Sequence, residues 1–425
     1  MKNKSEQKEI FVYTDWETFN KPLYMGILRT TPLRGKEVFS FEYDRDWLKS
    51  GYATHLDPEL KLFTGPQYPQ SGHKNFGLFL DSSPDRWGRL LMRRREEQLA
   101  REEKRNIQTL MESDYLLGVF DQHRMGALRF KLNPSRPFLD DNREMASPPW
   151  TQLRELENAS LQLEKDHAEK NKDYMKWLKL LIAPGGSLGG ARPKASVIDT
   201  KENLWIAKFP SKNDELNIGA WEFLVHQLAV KAKITMSESQ IKRFSGLHDT
   251  FLTKRFDRHQ HKRIHFASAM TLLNRNDGED SDEGVSYLDL VDFLIQNGCQ
   301  AESDLEQLWR RIIFNICISN TDDHLRNHGF LLTEKGWKLA PAYDINPSET
   351  GDGLKLNISK DDNTQSLDLA LSVAVYFRLK QSEAKKIISE IIKSVLQWRN
   401  LAKKLVPSKE IFRMEHAFRV VEEQS

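Results

Sequence analysis

Asn320-Thr321-Asp322-Asp323-His324-Leu325-Arg326-Asn327 is the stretch on which the reading of this chain turns. It sets an Asp and, five residues on, an Asn; a second Asp follows in Ala342-Tyr343-Asp344, behind a short predicted strand at 328–332. Phosphoryl transfer of the protein-kinase kind needs this set. One carboxylate orients the attacking hydroxyl or accepts its proton, while an Asn and a further Asp hold magnesium against the nucleotide phosphates. Asp322 is preferred as the base because only it has the Asn at that interval, and Asp323 competes for the role. His324 lies between Asp322 and Asn327, placed to orient Asp322 or a backbone carbonyl. The bland alternative is a polar loop capping a helix, for which Asn-Thr-Asp-Asp is also good composition. A metal-hydrolase reading of Asp-x-His is weaker, since no further ligand cluster follows.

Three segments outside this stretch cooperate with it. Pro184-Gly185-Gly186-Ser187-Leu188-Gly189-Gly190-Ala191-Arg192-Pro193 is a glycine-rich loop whose backbone N–H groups can approach phosphate oxygens without a Cβ in the way. It matches neither standard phosphate-loop pattern, so alone it reads equally well as a surface turn. Lys208 ends the apolar run Trp205-Ile206-Ala207-Lys208-Phe209-Pro210. A kinase uses such a Lys to hold the α- and β-phosphates, paired with a Glu on the next helix, and Glu222 among core-type residues is the candidate partner. The competing reading is a strand-end Lys reaching into solvent. Asp344 ends the run Leu339-Ala340-Pro341-Ala342-Tyr343 where a magnesium-binding Asp belongs, or else simply starts a turn. Together and in this order, the four segments favour an ATP-type phosphotransferase.

Composition sets the frame. At 425 residues the chain is too long for one small core. The formal net charge of +2 argues against nucleic-acid binding by bulk charge, although a local basic patch is compatible with it. Arg93–Arg95 is the strongest local cluster, and the following Glu96-Glu97 makes a solvated helix face the better reading. Cys299 and Cys317 lie in apolar stretches without C-x-x-C spacing, which argues against a thiolate zinc site and a disulfide framework. No window approaches the roughly 20 apolar residues of a membrane span, and the polar N-terminus has no signal-peptide core. A cytoplasmic setting is expected.

Periodicity predicts strands at 10–13, 37–43 and 125–132, with a charged helix running to about 105. Helices follow at 151–165 and 174–182, then strands at 194–199 and 204–208, a helix at 218–233, and strands at 240–244 and 251–256. The rest reads as helices at 287–297, 304–319, 381–404 and 408–422. The expected class is α+β: a bilobal, protein-kinase-like fold with a small N-terminal α/β subdomain and a mostly helical C-terminal lobe. The expected segments are a subdomain at 1–132, a Pro- and Asp-rich linker at 133–150, a nucleotide-binding part at 151–258 and a helical lobe at 259–425.

The sequence resembles the HipA family of toxin kinases. The resemblance rests on the loop from Gly186 to Lys194, on Ile206-Ala207-Lys208-Phe209-Pro210, Lys254-Arg255-Phe256-Asp257-Arg258, residues 320–327 and Ala340-Pro341-Ala342-Tyr343-Asp344. Leu80-Asp81-Ser82-Ser83-Pro84-Asp85-Arg86-Trp87-Gly88-Arg89 and Gly126-Ala127-Leu128-Arg129-Phe130 extend it through the N-terminal region. It implies a serine/threonine protein kinase using ATP and magnesium. Lys208 then contacts the phosphates, Asp322 is the base with His324 beside it, and Asn327 and Asp344 hold magnesium. Ser187, Leu188, Gly189, Gly190 and Ala191 would lie along the nucleotide, and Lys254, Phe256 and Asp257 at a hinge near adenine and ribose. Some relatives carry an acidic residue where Lys254 stands, which bears on affinity. Ser187 occupies the place of the family's autophosphorylated loop serine, whose modification draws the loop off the nucleotide. The resemblance further implies a small helix-turn-helix antitoxin that carries the contact with DNA, and a protein substrate such as an aminoacyl-tRNA synthetase. A catalytically silent repressor partner and a small-molecule phosphotransferase are the competing readings.

Overall fold

The alternation of Phe39, Phe41 and Tyr43 becomes one buried face of a strand, with all three side chains packed inside. The computed structural model describes residues 7–139, 148–182, 190–244, 246 and 248–424. Its contacts group into two units: one of residues 1–212 with 257–267, the other of residues 213–256 with 268–425. No unit boundary falls in the Pro-rich stretch at 133–150, of which residues 140–147 lie outside the described residues.

In the first unit, β1 (Lys8–Thr14), β2 (Leu23–Leu33), β3 (Lys36–Tyr43) and β4 (Leu128–Lys131) form an antiparallel sheet in the order β3-β2-β1-β4. Periodicity does not predict β2, although it is the longest of the four. Its middle, Met25-Gly26-Ile27-Leu28, is buried at four successive positions, so the alternation that marks a half-exposed strand is absent. Gly26 is required there: a Cβ would come within 2.3 Å of the Glu42 carbonyl oxygen on β3. Helix α1 (Arg86–Glu102) starts on Asp85, whose side chain accepts the Gly88 N–H at 2.7 Å. Within the Arg93–Arg95 cluster, Arg94 donates to the Leu163 carbonyl that ends α2 (Leu153–Leu163), so this cation caps a helix. Helix α3 (Tyr174–Ile182) follows, and then the hairpin of β5 (Lys194–Ile198) and β6 (Leu204–Lys208).

The second unit holds α4 (Ile218–Lys231), the hairpin of β7 (Ser239–Lys242) and β8 (Thr250–Lys254), and two long helices, α5 (Tyr287–Asn297) and α6 (Ala301–Cys317). A second hairpin, β9 (Gly329–Thr333) with β10 (Gly336–Leu339), follows the catalytic segment. The helix expected over 381–404 is two helices, α7 (Gln381–Val395) and α8 (Trp398–Leu405). The break lets Trp398 stack on Phe418 at 4.2 Å between ring centroids, while Arg399 pairs with Glu415 and Glu422. The stretch expected as one helix over 408–422 likewise opens as α9 (Ser408–Met414) and continues through a tighter turn. Tertiary packing of the aromatic residues overrides helix propensity at both places. Among the described residues no helix is long and apolar enough to cross a membrane.

His265 lies fully buried in the first unit, and burial lowers its pKa from 6.5 to about 3. The folded state therefore resists protonation over a range in which the unfolded chain accepts a proton. Stability from this site is fully present above about pH 6.5 and is lost as pH falls toward 3. A neutral replacement, His265→Gln, should flatten the acid limb of a denaturation series by roughly 2–3 kcal/mol at about pH 4.5. An unchanged acid limb would show that His265 is not the group responsible.

Candidate active site

Two residues past the end of α6, Ser319 takes a left-handed backbone, φ 49°, which turns the chain into the segment 320–327. Asn320 closes the helix end, since its N–H and its side-chain amide both bond to Asn315, at 2.9 and 3.0 Å. Beyond it the two neighbouring carboxylates part. Asp322 is exposed and Asp323 is buried. The Asp323 Oδ2 accepts hydrogen bonds from the Tyr287 hydroxyl at 2.6 Å and the Asn315 amide at 2.7 Å, and pairs with the His328 Nε2 at 2.9 Å. Burial alone would raise the pKa of Asp323. The neighbouring His328 and the bonds from His328 and Tyr287 outweigh it, so the carboxyl sits below its ordinary range. The same contact, added to burial, pushes the Tyr287 hydroxyl well up.

Asn327 is buried, and its side-chain amide donates to the Asp322 carbonyl at 3.0 Å, closing the turn that carries Asp322. The His324 N–H bonds to that same carbonyl at 2.9 Å, and the Asn327 N–H to the His324 carbonyl at 2.8 Å. His324 thus touches Asp322 through the backbone. The Tyr343 hydroxyl donates to the Arg326 carbonyl at 2.8 Å, which ties the residue before Asp344 to the residue before Asn327. Asp344 itself adopts a left-handed backbone, φ 56°, a conformation that costs a non-glycine residue energy and clusters at functional sites. Phe256 packs against the Tyr343 ring, 5.5 Å between centroids, and so meets this cluster from the second unit's own strand end.

Lys355 has no place in the motif reading, yet it stands near Asp322. Its pKa is raised mainly by its hydrogen bond to Asp280, with the charge of Asp322 adding to the effect. Arg311, buried, donates to the Ala340 carbonyl, and burial lowers its pKa to about 10 against the pull of Asp323. The partners of these groups are far away in sequence, which is why motif spacing does not reveal them. Among the described residues no group of three or more His, Cys, Asp or Glu side chains is placed to hold a metal.

The remaining candidates lie as follows. Glu222 is buried on α4 in the second unit, and Lys254 is half-buried at the end of β8. Lys208 is half-buried at the end of β6 in the first unit, with Lys194 directly across the hairpin. Asp257 is fully buried, and its Oδ2 accepts the Gly126 N–H at 2.8 Å and an Arg258 N–H at 2.6 Å. The chain passes from the second unit to the first between Phe256 and Asp257, inside the segment read as a hinge. Of the glycine-rich loop, Ser187, Leu188 and Gly189 lie outside the described residues, while Gly190 and Ala191 are exposed. Gly190 takes φ 78° and its carbonyl accepts the Trp87 N–H at 3.4 Å. Just beyond it the Lys194 ammonium is buried 3.0 Å from Asp85, and the Trp87 indole donates to the Lys194 carbonyl at 3.1 Å. Gly190 and Lys194 are thus held against the start of α1.

Residues 186–399 match the family model described as the HipA-like C-terminal domain. A curated protein of Haemophilus influenzae named "Putative kinase" is 27% identical over 180 residues, which cover 38% of this chain. The match spans about half of that relative, 52% of its length. A chain of the Shewanella oneidensis toxin–antitoxin complex of HipA, HipB and operator DNA superposes with a TM-score of 0.62 at 18% identity, covering 94% of both chains. That likeness is one of fold.

Because Asp85 both caps α1 and neutralises a buried ammonium, Asp85→Ala should cost about 3–5 kcal/mol of the first unit's stability. Chemical denaturation measures this. A loss under about 1 kcal/mol, the value of an exposed pair, would contradict it.

Proposed function

This chain belongs to the family of HipA-like C-terminal domains, and from that membership and the geometry of residues 320–344 we propose that it is an ATP- and magnesium-dependent serine/threonine protein kinase. The observation that carries the proposal is the exposed Asp322 carboxylate, set on a turn that Asn327 closes. Bound ATP supplies the phosphoryl group, and magnesium neutralises charge on its phosphates. Asn327 and Asp344 offer one amide oxygen and one carboxylate. Such hard oxygen donors suit magnesium, which keeps most of its shell for water and phosphate. Asp322 takes the proton of the acceptor hydroxyl as that oxygen bonds to the γ-phosphorus and the bond to the leaving phosphate oxygen breaks. His324 holds the Asp322 carbonyl through its N–H, leaving the carboxylate to face the acceptor. Lys355, paired with Asp280, adds a positive charge within electrostatic reach of Asp322. Lys208 serves as the phosphate ligand, and Lys254 and Phe256 lie along the base.

Ser187 is the proposed site of self-modification. The acceptor in other proteins is a serine or threonine of a translation component such as an aminoacyl-tRNA synthetase. The fold shared with a protein solved together with HipB and operator DNA supports a small DNA-binding antitoxin as partner, in a cytoplasmic toxin–antitoxin pair.

Incubation with ATP and magnesium, followed by mass spectrometry, tests the reading. Phosphate is expected on Ser187, and the same ligands should raise the melting temperature of the wild-type protein. Asn327→Ala and Asp344→Ala should each remove the magnesium-dependent part of that rise. Phosphate on a small solute alone would replace the protein-kinase reading with a small-molecule phosphotransferase. No nucleotide-dependent stabilisation would favour a catalytically silent partner.

A further inference from the structure

Asp323 is the buried acid that the proposed chemistry leaves unused. One of its oxygens gathers three partners from three elements: Tyr287 opens α5, Asn315 lies in the last turns of α6, and His328 leads into β9. Stability alone gives weak reason for such a group. A buried charge costs desolvation that an apolar cluster of similar size does not, and breaking it leaves several donors unpaired. What a fully satisfied polar network does supply is a single backbone arrangement.

Here that arrangement has a direct consequence. Asp322 and Asp323 share a peptide, so anchoring one side chain inward leaves the other facing outward. The turn is fixed at its second end by the Asn327 amide on the Asp322 carbonyl. His328, which holds Asp323, is the residue next to Asn327. The inward carboxylate therefore sets both Asp322 and Asn327 at once. The α5 start is itself pinned, since the Tyr287 N–H bonds to the Asn357 carbonyl, and the Asn357 N–H to the Val285 carbonyl, each at 2.9 Å.

We propose that Asp323, gripped by Tyr287, Asn315 and His328, is the positioning residue of the catalytic segment: it orients Asp322 and Asn327 for transfer and touches neither nucleotide nor acceptor. This rests on the phosphotransfer reading above. A misplacement of about 1 Å in a catalytic group is enough to cost on the order of a hundredfold in rate. Asp323→Ala should accordingly lower kcat roughly a hundredfold, and Tyr287→Phe, which removes one donor and little volume, roughly three- to tenfold. Both should leave the Kd for ATP measured without magnesium within about threefold of wild type.

The test pairs two measurements on the full chain. Steady-state kinetics with direct ATP-binding titration separates kcat from nucleotide affinity. Amide hydrogen exchange over residues 320–328 reads the segment's order without any need for activity. The proposal expects lower kcat with intact magnesium-free ATP binding, together with faster exchange in this segment and unchanged exchange in the first unit. Wild-type turnover in both variants would overturn it, and so would unchanged exchange over 320–328. Should Asp323→Ala fail to fold, Tyr287→Phe carries the test by itself. A wild-type protein that binds ATP but transfers no phosphate would refute the kinase reading, and the exchange measurement would still decide whether Asp323 orders the segment.

Discussion

A carboxylate oxygen with three hydrogen-bonding partners, buried where two helices and a strand converge, is the constraint on which the second unit's chemistry depends. A charge in a protein interior persists only when its bonds are made. Asp323 therefore dictates the relative placement of Tyr287, Asn315 and His328, and through them of α5, α6 and β9. The neighbouring Asp322 inherits its direction from that placement. The left-handed Ser319 delivers the chain to this point, and the left-handed Asp344 lies one residue past Tyr343, which bonds back to the turn. Rigid elements thus carry a short loop whose exposed members are few and definite, an arrangement suited to chemistry that relies on positioning.

The first unit solves a related problem with the opposite charge. Lys194 buries its ammonium against Asp85 at the foot of the glycine-rich loop, and Lys208 sits across the hairpin from it. Asp257 is likewise tied inward, to Gly126 and Arg258. Its carboxylate ties Gly126 and Arg258 together within the first unit, next to the point where the chain passes from one unit to the other.

Much of this was legible in the sequence. Helix α5 shows its apolar spacing plainly and opens on a capping box between Ser286 and Asp289. Residues 320–327 and 344 stand out by interval, and the Tyr343 bond to Arg326 brings the two segments together. The interval also preferred Asp322 to Asp323, but the burial of Asp323 could not be read. Two of its partners are a tyrosine and an asparagine with no motif of their own, one of them 36 residues away. Strand β2 escaped because burial on both faces erases alternation. The break between α7 and α8 escaped because aromatic stacking on Phe418, a distant residue, decides it. Local periodicity reveals elements, and long-range burial decides which polar residues are structural.

The most direct test of the central claim is transfer of label from γ-labelled ATP, in the presence of magnesium, by the wild-type protein and by Asp322→Ala. The account predicts labelled protein from the wild type and, for the variant, labelling reduced on the order of a thousandfold with its melting temperature and ATP affinity retained. Labelling of Asp322→Ala at the wild-type rate would contradict it.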